Sequence, residues 1–184
     1  MKRPLCGLAA RAMLTNVSRA TNQFSRGDVA MAAGRTFLSQ FVGDILVRCP
    51  ACAGCAHLLR LPAPRGRVTG YRFVCGGCAA TRDWLLARDR VIPIPAAGPE
   101  LHGFGLSLWL QVACCGQVLW AYNAAHVAFL ERYIGAKVRS QRSVPRTYLG
   151  NGTLESRLPR WMLAAKHRER VMHGLQTLRD MIGA

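Results

Sequence analysis

Acidic side chains are scarce in this chain: nine Asp and Glu are spread over 184 residues. A metal-dependent nuclease needs carboxylates clustered around its catalytic ions, and nine scattered acids supply no such cluster. A Gly-rich phosphate loop is also missing, as is any nucleophile motif. These gaps point away from catalysis. No apolar signal-peptide core lies near the N-terminus, so the eight cysteines do not read as a secreted disulfide framework, and a reducing cytoplasm suits them better. Charge of either sign is absent from Leu101 to Leu130. That run is long enough to span a bilayer, but Gln111, Gln117 and Asn123 interrupt it, Cys114-Cys115-Gly116 reads as a turn, and strand formers surround it. A membrane span is not expected.

What is present in excess is basic charge. Lys and Arg total 25, nearly all Arg, and the net charge is +16. A surface that neutralises phosphates gains affinity by counterion release, and Arg grips phosphate with a planar fork. A polyanionic partner, DNA or RNA, is therefore the first expectation. An Arg-heavy composition also arises in a GC-rich genome, so charge alone does not decide. The excess is distributed: residues 1–48 carry seven bases and two acids, 49–105 seven and three, 106–184 eleven and four. The segment Met1–Arg26 is Arg-bearing and acid-free, as organellar transit peptides are. A basic, disordered arm over residues 1–30, or a start at Met31, is the reading preferred here.

Beyond the arm, Ala30, Phe37, Phe41 and Ile45 recur near helical spacing, which predicts a helix over Val29–Ile45, weakened by Gly34. Asp44–Arg48 then leads extended into Cys49-Pro-Ala-Cys52, and Tyr71–Val74 leads extended into Cys75-Gly-Gly-Cys78. Leu58–Leu61 reads as a strand between them and Pro62–Gly70 as a basic loop. Pro93, Pro95, Gly98 and Pro99 mark a connector. Alternation over Leu106–Val112 and again over Val118–Tyr122, about a turn at Gly116, predicts a β-hairpin. Asn123 suits the cap of a helix bearing Val127, Leu130, Ile134 and Val138 on one face and ending near Arg142. Residues 143–157 read as a loop. A last helix from Pro159 carries the stripe Trp161, Ala164, Val171, Leu175, Leu178 and Ile182.

The two Cys-x-x-Cys pairs are the strongest chemical signal. Such a turn aims both sulfurs at one ion while backbone amides bond to the thiolates, and two turns from two hairpins close a tetrahedral zinc site. The 22 residues between Cys52 and Cys75 slightly exceed the usual separation, with room for a loop. Cys49, Cys52, Cys75 and Cys78 are thus the expected zinc ligands. Cys52-Ala-Gly-Cys55 is a competing pair; Pro50 and Gly54 favour Cys49 with Cys52, leaving Cys55 as a small buried residue. A closed four-thiolate site has no open position and stabilises folding without activating water.

Cys49-Pro-Ala-Cys52 and Phe73-Val-Cys75-Gly-Gly-Cys78 resemble the knuckles of transcription-factor-type zinc ribbons. The resemblance covers the ribbon alone, and implies docking onto RNA polymerase, nucleic acid or partner proteins rather than catalysis. The segment Leu108–Asn123 also looks like one found beside ribbons in uncharacterised bacterial proteins, a likeness that carries no function. The expected fold class is α+β: a small antiparallel zinc ribbon followed by a β-hairpin and two C-terminal helices. Its units are the arm 1–30, a ribbon module 31–92 with its preceding helix, and 100–184 with the hairpin and helices.

Candidate nucleic-acid contacts are Arg65, Arg67 and Arg72 in and beside the ribbon loop, with Tyr71 and Phe73 as stacking aromatics, and Lys166 and Arg170 on the last helix. Trp109, Trp120 and Tyr122 read as core of the hairpin. Cys114 and Cys115 sit at its turn, where adjacent cysteines ligate one zinc poorly. The expected function is nonenzymatic: a cytoplasmic zinc-ribbon protein binding nucleic acid, or a nucleic-acid-bound protein complex, through Arg-rich surfaces. The alternative is a protein-interaction adaptor docking through the hairpin and its following helix.

Overall fold

A computed structural model of the protein describes residues 36–62, 68–86, 98–136 and 154–183. The expected arm over 1–30, and Arg65 and Arg67, lie outside the described residues.

Four antiparallel strands form the main sheet in the order β1 (Asp44–Arg48), β2 (Cys55–Pro62), β3 (Val68–Cys75), β4 (Thr81–Leu85). Period-two alternation decides which side chains turn inward. In β3, Tyr71, Phe73 and Cys75 are buried, while Arg72 and Val74 between them are partly exposed. Leu58 lies opposite Phe73 and Ala56 opposite Cys75, so β2 contributes to the same buried face. In β1 the pattern differs, with Ile45, Leu46 and Val47 all buried. Its outer edge is covered: Leu46 N–H donates to Tyr122 O at 2.8 Å, Trp109 N–H donates to Leu46 O at 2.9 Å, and Val47 bridges Leu108.

The expected helix over Val29–Ile45 is not found in its described part. Leu38–Gln40 makes one 3-10 turn after an extended Phe37, and Ile45 already belongs to β1. Pairing of Ile45 with Leu58 overrides a weak helical spacing. Strand β4 was not evident from sequence. It is a charged outer strand whose Asp83 faces Arg72 and whose Trp84 faces Tyr71.

After residue 98, β5 (Glu100–Leu101) and β6 (Leu106–Ser107) make a miniature hairpin. Phe104 at its turn plugs the sheet, edge-on to Tyr71 at 4.9 Å and Trp84 at 5.3 Å. The alternating run 106–112 is thus broken at Trp109-Leu110, because its first half pairs with β5 and its second with a new partner. The expected hairpin follows as β7 (Gln111–Cys114) and β8 (Gln117–Trp120). Its two-residue turn has positive φ at both Cys115 (54°) and Gly116 (76°), the combination that matches strand twist in tight hairpins.

Helix α1 (Ala124–Gly135) is capped by Asn123, whose side chain accepts from His126 N–H. It ends at Gly135, short of the expected Arg142. Arg168 donates to Gly135 O at 2.8 Å and to Ala136 O, satisfying carbonyls that a helix end leaves open. Leu154–Arg157, expected as loop, forms the short turn α2. The single C-terminal helix expected from Pro159 is divided: a short turn α3 (Arg160–Leu163) precedes an extended Ala164, a 3-10 turn over Ala165–His167, and the long α4 (Arg168–Gly183). Val171, Leu175 and Leu178 of the expected stripe are fully buried, but ahead of the break Met162 is buried rather than Trp161. Gly174 lets α4 approach the hairpin closely: a Cβ there would lie 2.8 Å from Leu119 Cδ2.

The buried residues of sheet, hairpins and helices form one continuous core. The uncharged run 101–130 supplies much of it, and among the described residues no helix is long and apolar enough to cross a membrane.

Candidate metal centre

The two Cys-x-x-Cys turns meet at one end of the main sheet. The first joins β1 to β2, and there Cys49 N–H donates to Gly54 O and Ala53 N–H to Cys49 O, both at 2.8 Å. The second joins β3 to β4, with Cys75 N–H on Ala80 O at 2.9 Å. In each, the residue after the second cysteine takes the left-handed conformation, Ala53 at φ 57° and Ala79 at φ 59°. The two turns are therefore near-copies in backbone geometry.

All four sulfurs, of Cys49, Cys52, Cys75 and Cys78, lie within 4.8 Å of one another. Cys49 Sγ to Cys78 Sγ is 3.7 Å and Cys52 Sγ to Cys75 Sγ is 3.5 Å. An ion bonded tetrahedrally to sulfur at about 2.3 Å spaces its ligands by roughly 3.8 Å, so the cluster is sized to hold a metal ion. Cys55, buried at the start of β2, stands outside the cluster and is disulfide-bonded, against the expectation of a small buried residue in a fully reduced set.

Electrostatics prepare some sulfurs for ionisation and resist others. Burial opposes the Cys49 thiolate, but amides of Cys52 and Ala51 and the Cys75 and Cys78 thiols outweigh it, lowering its pKa to about 7. Burial dominates at Cys75 and pushes it up to about 12, although amides of Cys78 and Gly77 bond to it. The amide of Ala80 serves Cys78. These amide-to-sulfur bonds are the outer support that holds thiolate ligands in place. Cys49 and Cys75 are buried and Cys52 and Cys78 exposed, so the cluster sits at the rim of the fold with one side facing water.

Of the candidate nucleic-acid residues, the described ones, Arg72, Lys166 and Arg170, sit on three separate elements. Arg72 makes a two-pronged pair with Asp83 across β3 and β4, at 2.8 and 2.7 Å. Tyr71 and Phe73 are buried and offer no stacking platform, since alternation sends them to the opposite face from Arg72. Lys166 and Arg170 are both exposed, but on the 3-10 turn and on α4 rather than along one helix. Residues 63–67 join β2 to β3, and β4 ends at Leu85. Pro62, Val68 and Leu85 all lie at the end of the sheet remote from the thiols.

The described residues contain eleven Lys and Arg against seven Asp and Glu, a surplus of four out of the chain's sixteen. Three of those seven acids are already paired, Asp44 with His57, Asp83 with Arg72 and Glu131 with Arg179.

Two features had little sequence signal. His126 is 2% exposed, with its ring stacked on Phe41 at 4.9 Å. Asn123 donates through Nδ2 to Phe41 O and Asp44 O, both at 2.8 Å. Comparison of the chain with protein-family models, curated proteins and solved structures finds no match.

Proposed function

We propose that this is a nonenzymatic zinc protein that binds nucleic acid, or a complex assembled on it, through its Arg-rich segments. The observation carrying the zinc assignment is the four-thiol cluster, whose spacing and amide support suit a redox-inert tetrahedral ion. With every coordination position taken by sulfur, the ion braces the turns and activates no water. A chain of this design binds one zinc, and Cys49→Ser or Cys78→Ser loses it, as metal analysis of the purified protein reads.

The basic surplus supports the second half of the reading. Most of it belongs to residues outside the described ones, including Arg65 and Arg67 between β2 and β3 in sequence. Arg72 is already engaged by Asp83 and contributes less. Changing Arg65 and Arg67 together to Ala should flatten the slope of log affinity against log salt by up to about two, one for each phosphate no longer neutralised, while Arg72→Ala changes it little. Binding to DNA and RNA that is absent, or insensitive to salt, overturns the reading.

A second reading is favoured by one surface feature. Val118, on the β8 strand of the hairpin expected to dock a protein partner, is 45% exposed. Nuclease treatment separates the two: partners retained after digestion belong to the adaptor reading, and partners released belong to nucleic acid.

A further inference from the structure

We infer that Cys114 and Cys115 form a second thiol site, distinct from the four-cysteine cluster, that captures a trivalent, pyramidal thiophile such as arsenic(III) between its two sulfurs.

The site is set by the hairpin turn. Cys115 takes the left-handed conformation, and the two adjacent sulfurs stand 3.6 Å apart. A disulfide needs about 2.05 Å, and its Cα atoms are ordinarily at least about 4.4 Å apart, more than the roughly 3.8 Å between neighbouring residues. The pair is therefore poorly placed to close on itself. A single atom held by both sulfurs at about 2.3 Å would instead subtend an angle near 100°. That angle excludes a linear two-coordinate ion and fits a pyramidal one. The four-cysteine cluster is the one group of three or more close metal-ligating side chains among the described residues. A tetrahedral ion here would thus find no third close protein ligand among the described residues, whereas a pyramidal centre keeps its own third substituent.

Room for that substituent exists. Both cysteines open onto a cleft of about 550 Å³ between hairpin and α4, lined also by Arg170, His173, Gly174 and Thr177. The two thiols differ in access. Cys114 is 7% exposed and donates to Arg170 O at 3.6 Å, whereas Cys115 is partly exposed. Burial, and then the neighbouring Cys115, push the Cys114 thiol up to about 11, with the Arg170 charge opposing. Cys115 therefore attacks first and Cys114 closes the ring. For an organoarsenic oxide, two arsenic–sulfur bonds form, the arsenic–oxygen bond breaks, and the two thiol protons leave with that oxygen as water. No oxidant or reductant takes part.

The test uses full-length protein handled without oxygen and without added reductant, treated with one equivalent of phenylarsine oxide and weighed intact. The expected product carries a single phenylarsenic group, resists excess 2-mercaptoethanol, is released by 2,3-dimercaptopropanol, and keeps the metal content of the untreated protein. Cys115→Ser and Cys114→Ala should each lose the monothiol-resistant adduct while keeping that metal content and a cooperative thermal transition. Because Cys115 is the more exposed, its variant decides the matter should Cys114→Ala not fold. A resistant adduct persisting in Cys115→Ser, displacement of bound metal, or no adduct on the unaltered protein would overturn the inference. The outcome is independent of whether nucleic acid is bound.

Discussion

Replacing Asn123 probes the joint between the sheet and the helices. Its Oδ1 accepts from His126 N–H at 3.0 Å and caps α1, and its Nδ2 donates to Phe41 O and Asp44 O, each at 2.8 Å. Loss of a cap destabilises by about 1 kcal/mol, and each lost neutral hydrogen bond by about 0.5–1.5 kcal/mol. Asn123→Ala removes all three interactions, so a loss of about 2–4 kcal/mol is expected. Asn123→Asp keeps the cap and gains a favourable charge at the helix N-terminus, but it turns a carboxylate oxygen toward two carbonyls. Its loss should be smaller, about 1–2 kcal/mol. Urea unfolding at fixed metal concentration, followed by far-UV circular dichroism and Trp fluorescence, reads both values. An Asp variant as stable as the original would show that the Nδ2 bonds carry nothing and refute the joint. Equal losses for Ala and Asp would refute the cap.

Three further outcomes are expected. A Cβ at Gly70 would lie 2.3 Å from the backbone oxygen of Trp84, so Gly70→Ala should lower stability by about 2–3 kcal/mol, as overpacking does; an unchanged urea midpoint would contradict the β3–β4 register. Ala53 and Ala79 hold left-handed backbone that is disfavoured by about 1–2 kcal/mol for a residue with a Cβ. After allowing for the added flexibility of glycine, Ala53→Gly and Ala79→Gly should each raise stability by about 0.5–1 kcal/mol, measured as a shift in melting temperature. Burial lowers the His126 pKa from 6.5 to about 4. Its folded pKa lies below its unfolded one, so its contribution is whole above about pH 6.5 and is lost as pH falls toward 4, by about 3 kcal/mol. An NMR titration of its ring should show it neutral at pH 5.5, and a midpoint near 6.5 would refute its burial.

The thiol turns were legible because ligand chemistry confines Cys to a short, repeated spacing, and the four sulfurs meet as that spacing implied. The β7–β8 hairpin and the Asn123 cap were legible for the same reason, since each is encoded within a few neighbouring residues. What escaped were features decided by distant partners. Ile45 looks helical beside Phe41, yet its pairing with Leu58 makes it a strand residue. Tyr71-Arg72-Phe73 reads as a binding stripe until alternation sends the aromatics inward and Asp83, eleven residues on, takes the arginine. The left-handed positions fall on Ala53 and Ala79, where glycine would have signalled them.

The balance of charge separates two responses to salt that are often entangled. The described residues carry a surplus of four charges, so self-repulsion among them is modest and adds little to any salt dependence of their unfolding midpoint. On the proposed reading, binding to a polyanion would respond steeply over the same salt range. Ionic strength would then release the partner while leaving the described elements folded.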